Sequence, residues 1–190
     1  MEEKSDKKIL DVPHISQILD VTDSDWHNRA CGIAVLAMVI KYYLGENSPS
    51  LDDLIKEGLS IDAYDSEYGW KHNHLTLVVH NHGLHSYRQE FKSTNETFEE
   101  GLVAGAINKF KEKILVGVPV IVSVEKLFRS NKSTHLVVLT GVVIERGELK
   151  GFYYHDPESR ERGDGEHEFV SLERFLEFWR KMAIFISRSA

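Results

Sequence analysis

Several features are scarce in this 190-residue sequence, and cysteine is the scarcest. The one cysteine, Cys31, cannot form an internal disulfide, so the fold does not depend on oxidation. No apolar stretch approaches the roughly 18 unbroken residues that a membrane-spanning helix needs. No basic run stands out, and the formal net charge is −7. These absences argue against nucleic acid and membrane as partners.

The charged N-terminal residues are not followed by the apolar h-region of a signal peptide. We therefore expect a soluble, cytoplasmic protein in which residues 1–8 form a flexible tail and residues 9–190 form a single domain. Hydrophobic residues make up 42% of the chain and charged residues 28%, which is an ordinary globular composition. The length is sufficient for one sizeable core.

The longest apolar run begins at the cysteine. It contains no proline and, after Gly32, no glycine until Gly45, so it predicts one helix that ends near Leu44. Because the run is apolar on every side, the helix should lie buried at the centre of the domain. Cys31 would then sit at the helix N-terminus, where backbone N–H groups and the helix dipole favour a thiolate. The alternative is an inert, buried thiol.

Apolar spacing and capping patterns predict the other elements. Further helices are expected over 51–57, 73–81, 97–113 and 171–179, with Ser50 and Ser171 as caps and Gly58 ending the first of them. Strands are expected over 84–91, 118–124, 136–144, 149–154 and 183–187, with a hairpin turn at Gly147 and an extended segment over 9–17. Helices come first and antiparallel strands afterwards, so the fold class is α+β.

A nucleophilic cysteine needs a base and a group that orients the base. His135 begins a predicted core strand, and Asp156 follows the next one. The two residues are about equally far from Gly147, so an antiparallel hairpin brings them to the same end, and we predict a hydrogen bond between them. Gln17 carries an amide donor of the kind that an oxyanion hole uses beside a backbone N–H.

Motifs along most of the chain resemble those of the bacteriocin-leader-processing, double-glycine-type cysteine peptidases and their stand-alone relatives, a family of the papain-like superfamily. They occur in family order from about Leu10 to Ile186: residues 12–17 (VPHISQ), 30–32 (ACG), 68–72 (YGWKH), 133–138 (STHLVV), 154–157 (YHDP) and 170–175 (VSLERF).

The resemblance implies a papain-like fold in which the central N-terminal helix packs against an antiparallel β-sheet. It implies that Cys31 is the nucleophile, that His135 is the general base and then the general acid, and that Asp156 fixes the imidazole tautomer. It also implies that Trp70 and His72 line the substrate groove.

By the same resemblance, Gln17 and the N–H of Cys31 form the oxyanion hole. The papain-like pattern places the glutamine closer to the cysteine, whereas residues 18–30 intervene here and must loop out. Asn28 offers the same amide chemistry without matching the motif.

The implied function is hydrolysis of a peptide or isopeptide bond through a thioester, on a peptide or protein substrate and without a cofactor. Two alternatives stay open. An acyltransferase or amidase on the same scaffold would share the thioester chemistry, and a catalytically silent module would bind peptides without turnover. The sequence has no G-x-x-x-x-G-K-[ST] loop, so the double-glycine specificity of the transporter-linked relatives is not carried over.

A group of histidines raises zinc as another possibility: His72, His74, His80, His82 and His85. No cysteine or closely spaced carboxylate completes a ligand set, and the i, i+4 histidine pair of a helical site is missing. We therefore predict solvated histidines and no metal.

Overall fold

The computed structural model describes residues 5–130 and 133–188. Helices within these ranges are α1 (Cys31–Leu44), α2 (Leu51–Ser60), α3 (His72–Asn81), α4 (Glu96–Leu115) and α5 (Leu172–Phe178). Strands are β1 (Ser5–Ile9), β2 (Tyr64–Asp65), β3 (Gly69–Trp70), β4 (Leu84–Glu90), β5 (Val120–Glu125), β6 (Thr134–Glu145), β7 (Glu148–His155), β8 (Glu168–Ser171) and β9 (Trp179–Arg188). The predicted α+β class is confirmed.

The main sheet has the strand order β4-β9-β5-β6-β7-β8, with β1 as a further partner of β6. Neighbouring strands in the described part of this sheet are antiparallel. The first half of β6 pairs with β5 and its second half with β1, while β7 runs along its other edge. The short strands β2 and β3 form a separate hairpin.

Helix α1 occupies the centre of the core, as its composition predicted. Every residue from Gly32 to Ile40 is buried, and the helix contacts β6, α2 and α3. Burial on all sides explains why the sequence carries no polar stripe there. The helix begins at Cys31, which is partly exposed, so the thiol stands at the edge of the core.

The expected flexible tail is wrong for Ser5–Lys8, and residues 1–4 lie outside the described ranges. Ser5–Ile9 forms strand β1, whose pairing with β6 runs from Ser5 opposite Glu145 to Ile9 opposite Gly141. Strand pairing uses backbone groups, so a charged segment with exposed side chains can still add to a sheet edge. The charge of the segment correctly predicts that Asp6, Lys7 and Lys8 are exposed. Exposure of side chains does not exclude a strand, which is why the prediction of a flexible tail fails.

Gly58 does not end α2, which continues to Ser60. A Cβ atom on Gly58 would lie 2.7 Å from the Trp70 ring, and one on Gly32 would lie 2.8 Å from the Trp70 side chain. Both glycines therefore make room for an indole between α1 and α2. The glycine predicted as a helix stop is a packing residue.

Candidate active site

Cys31 is the first residue of α1, and no side chain caps the turn that it opens. Ala30, the N-cap residue, makes no side-chain hydrogen bond. The partial positive charge of an α-helix N-terminus favours an anion close to its first turn. Cys31 thus occupies the helix N-terminus, which is the position predicted from the sequence.

His135 and Asp156 meet at one end of the β6–β7 hairpin. Val138 pairs with His155, so Asp156 lies one position further on, beside Val137. His135 is two residues before Val137 and therefore on the same face of the sheet. The His135 Nε2 donates to Asp156 Oδ1 at 2.7 Å, and both residues are buried. The predicted hydrogen bond is present.

The charge state of His135 reflects these partners. Burial by itself lowers the pKa of an imidazole. Hydrogen bonds to Asp156 and Cys31, together with their charges, outweigh burial and raise the pKa of His135 from 6.5 to about 10. Since Nε2 is bonded to Asp156, Nδ1 is the ring nitrogen left for Cys31. The imidazole thus interacts with both the carboxyl of Asp156 and the thiol of Cys31.

Asp156 is held by more than the imidazole. Its backbone N–H donates to Gly165 O at 2.8 Å, its carbonyl accepts from His14 Nε2 at 2.8 Å, and Oδ1 also accepts from the Glu158 N–H at 2.8 Å. Burial raises the pKa of the carboxyl, but the bonds and charge of His135, with the Glu158 N–H, hold it below 3.8. Asp156 is therefore a fixed carboxylate.

Gln17, the predicted oxyanion donor, is buried close to the loop of Asp156. Its backbone N–H donates to Pro157 O at 2.7 Å, and its side-chain Nε2 donates to His27 O at 2.8 Å. One amide hydrogen is thus committed to the backbone just before Asn28. Asn28 itself is exposed and lines the groove beside Cys31, whereas Gln17 does not line it.

An open groove passes over Cys31 and His135. Hairpin β2–β3 and the segment before α1 form one wall, and β5 and β6 form the other. The predicted substrate contacts Trp70 and His72 both line this groove. Its other lining residues are Asn28, Arg29, Tyr64, Ser66, Glu67, Tyr68, Gly69, Ser123, Thr134 and Leu136. Ser123 could have been identified from the sequence as a candidate site residue, since it is a polar residue within a β-branched strand.

Trp70 lines the groove but is mostly a packing residue. It is 6% exposed, its Nε1 donates to Arg29 O at 2.6 Å, and its ring packs against Tyr64 and Trp26. This contact ties hairpin β2–β3 to the chain just before Cys31. Trp70 therefore sets the width of the groove more than it offers surface to a ligand.

His72, the first residue of α3, also lines the groove. Burial, followed by the charges of Arg88 and Arg180, lowers the pKa of His72 to about 4 against a smaller opposing effect of Glu90. The ring is therefore neutral at neutral pH and available as a hydrogen-bonding group.

Two of the remaining histidines of the 72–85 group have ordinary partners, whereas the buried His74 Nδ1 has no hydrogen-bond partner among the described residues. His80 Nε2 lies 3.0 Å from Ser86 O, and His82 Nε2 lies 2.7 Å from Glu57 Oε2. These contacts hold α3 to its neighbours and do not converge on one point.

A different cluster, His155, Glu166 and His167, brings three ligand-type atoms within 4.8 Å of one another. His155 Nε2 donates to Val12 O at 2.8 Å, and its Nδ1 accepts from the His167 N–H at 3.0 Å. Because both ring nitrogens are already bonded, His155 has no lone pair to offer an ion.

A sequence model of the Peptidase C39-like family matches residues 9–184. The chain belongs to this family. Family and fold together support a cysteine peptidase of the papain-like fold. Among curated proteins, no sequence matches the chain.

Solved structures agree on the fold. A Bacillus anthracis protein described as a C39-like peptidase superposes with a TM-score of 0.65 at 17% identity, covering 97% of this chain and 100% of its own. The peptidase domain of Streptococcus ComA, a bifunctional ABC transporter of a quorum-sensing pathway, gives 0.59 at 19% identity, covering 96% and 98%. A double-glycine-motif protease from an AMS/PCAT transporter, solved with its leader peptide, gives 0.58 at 20% identity, covering 96% and 95%.

The helices were also compared with the length and hydropathy that a bilayer crossing needs. Among the described residues, none of them is both long and apolar enough to span a membrane.

Proposed function

We propose that this C39-like protein hydrolyses a peptide or isopeptide bond with Cys31 as nucleophile, His135 as general base and acid, and Asp156 as the residue that orients His135. The observation that carries the proposal is the buried His135, bonded to Asp156 at 2.7 Å and lining the same groove as Cys31, whose thiol helps to raise the pKa of the imidazole. A base within reach of the nucleophile and oriented by a third group is what covalent catalysis requires.

The reaction would proceed in two halves. The Cys31 thiolate attacks the carbonyl carbon, and the imidazolium of His135 gives its proton to the leaving amine as the C–N bond breaks, which leaves a thioester. Water then attacks the thioester, His135 accepts a proton from the water, and the thiolate leaves. Asp156 keeps the Nε2–H of His135 directed away from Cys31, so that Nδ1 faces the reacting atoms.

The developing oxyanion needs two donors. The Cys31 N–H at the start of α1 is the first, and the Gln17 amide remains our predicted second donor, since its side chain is buried and fixed by His27 O. Asn28 is the competing donor because it lines the groove beside Cys31. Removing the true donor should lower kcat by about 10²- to 10³-fold. Q17A and N28A, compared on one substrate, distinguish the two.

The open groove suits an extended peptide. A neighbour of the same fold was solved with a leader peptide, which supports a peptide substrate for this chain too. Added amine nucleophiles test the form of the reaction: a hydrolase releases mainly free acid, whereas an acyltransferase yields the amide.

Because Cys31 is the only cysteine, thiol labelling reports on this residue alone. We expect iodoacetamide to label the protein readily at pH 6, where an ordinary thiol of pKa about 8.5 reacts slowly. C31A should lose all labelling by a thiol-directed activity probe, and H135A should lose most of it. H85A, a change at an exposed histidine of β4 away from Cys31 and His135, serves as the control. Unchanged labelling of H135A would remove the proposed pair.

A further inference from the structure

The groove does not end at the catalytic residues. Beyond Tyr68, Trp70 and His72 it continues into a second hollow. The two hollows share these residues together with Ser123 and Thr134. The residues found only in the second hollow are mostly charged: Lys71, Glu90, Lys92, Arg180 and Met182. A peptide lying over Cys31 would therefore extend into a charged region.

Two of these charges already have partners. Lys71 Nζ lies 2.7 Å from Asp62 Oδ2, and Glu90 forms an ion pair with Arg88. Lys92 and Arg180 are exposed, and within the described ranges neither forms a salt bridge. The hollow therefore has two cations that form no salt bridge among the described residues, although Glu99 attracts Lys92 electrostatically, and one carboxylate, which pairs with Arg88.

Sheet pairing places Lys92 and Arg180 close together. β4 pairs with β9, and Phe91 N, just after β4, donates to Lys181 O at 2.8 Å. Lys92 and Arg180 adjoin these two bonded residues in the chain. The two cations lie close together on a chain of net charge −7, with Glu125 and Glu177 lining an adjoining hollow. The pKa of the neighbouring His72, lowered by burial and then by Arg88 and Arg180, is consistent with a local positive potential.

We propose that Lys92 and Arg180 form a cationic subsite that binds a carboxylate of the peptide substrate, so that the enzyme prefers an Asp or Glu side chain near the scissile bond. This inference rests on the proposed peptidase function and adds the substrate class to it. Lysine and arginine ammonium and guanidinium groups are the ordinary partners of carboxylates. Half-exposed pairs are individually weak, so charge reversal on the substrate should change selectivity by about tenfold.

The test uses peptides whose two ends are blocked. Within each set the peptides differ at a single position, which is Asp, Asn or Lys. The sets place that position at each site from three residues before the cleaved bond to three residues after it. Relative kcat/KM is measured for the wild-type protein. Binding of the same peptides to C31A is measured in parallel by fluorescence anisotropy. We expect one position at which Asp exceeds Lys about tenfold in both measurements. Raising the salt should shrink that ratio. An otherwise identical peptide with a free C-terminus distinguishes a terminal carboxylate from a side chain.

Charge-reversal variants of the protein provide the decisive part of the test. R180E and K92E should each bring the Asp-to-Lys ratio towards one, and the double variant should favour the Lys peptide, a gain that misfolding cannot produce. K41E is the matched control, since Lys41 is exposed near the far end of α1, about 15 Å along the helix from Cys31. Ratios that stay at the wild-type value in the double variant overturn the subsite. If C31A binds with the predicted ratio while the wild type cleaves nothing, the peptidase proposal fails and the carboxylate subsite stands.

Discussion

His135 and His155 are both buried histidines on the paired strands β6 and β7, yet they differ in charge. Burial lowers the pKa of each. In His135 the bonds to Asp156 and Cys31 reverse that effect and raise the pKa to about 10. In His155 the partners are Val12 O and the His167 N–H, and burial with the nearby His167 and His14 lowers the pKa to about 4.

The comparison teaches that the partner, rather than the depth of burial, decides whether a buried imidazole carries charge. A carboxylate and a thiol make His135 a group that can exchange protons with a substrate. Backbone partners make His155 a neutral cross-link that connects the N-terminal segment to the loop after Glu166. Two adjacent residues, His155 and Asp156, thus serve stability and the proposed chemistry separately.

The largest expected effect is on activity. H135Q should lower kcat/KM by about 10³-fold, because it removes the general base and acid. H155Q should reduce activity per folded molecule by less than tenfold, since Gln keeps an amide donor for Val12 O. Peptide hydrolysis by each purified variant, normalised to the folded fraction, checks the difference. Equal losses in the two variants would contradict the division of roles.

The next effect concerns the carboxylate that distinguishes the two histidines. D156N should lower kcat by about 10²- to 10⁴-fold, because the imidazole loses the negative charge that fixes its tautomer and stabilises the imidazolium. The same change should also lower the pKa of His135, since the charge of Asp156 no longer opposes burial. NMR titration of the His135 ring protons measures this directly. A pKa that stays near 10 in D156N would show that Asp156 is not its cause.

Stability should respond to pH in opposite directions at the two sites. The folded pKa of His155 lies below its unfolded value, so its contribution is present above about 6.5 and is lost as the pH falls towards 4. A gap of about two and a half units corresponds to roughly 3 kcal/mol. The folded pKa of His135 is raised, so its contribution is present below 6.5 and is lost as the pH rises through about 10.

Urea denaturation of H155Q and H135Q between pH 4 and 10 measures how each histidine's contribution to stability depends on pH. Relative to the wild type, H155Q should be most destabilised at pH 7 and less so at pH 5. H135Q should show the reverse trend on the alkaline side, with its deficit shrinking as the pH approaches 10. Parallel profiles for the two variants would contradict the opposite pKa shifts.

The smallest expected effect tests the support behind Asp156. H14A removes the Nε2 donor to Asp156 O and should cost about 1 kcal/mol of folding free energy and a few-fold in kcat. H14Q retains an amide donor and should recover most of both. Thermal denaturation and steady-state kinetics of the two variants check this. Identical behaviour of H14A and H14Q would show that the donor contributes nothing.

Local patterns predicted the parts of the site that depend on neighbours in sequence. The apolar run placed Cys31 at the start of α1, and counting from Gly147 placed His135 near Asp156, because the register of a tight hairpin follows from its turn. The prediction that Gly58 ends α2 failed because this glycine makes room for the side chain of Trp70, a residue of another element. Lys92 and Arg180 gave no signal, since only the pairing of β4 with β9 brings them together.

By itself, the sequence determined the helices α1 to α5 and the strands β4, β5, β6, β7 and β9, where the thiol sits on its helix, and which ends of a hairpin meet. These properties follow from apolar periodicity and turn residues within a few positions of one another. Tertiary structure alone decided that the α1 N-terminus meets His135, that Ser5–Ile9 joins the sheet, and that two distant cations share one groove. Such contacts depend on how whole surfaces pack, and no single segment encodes its partner.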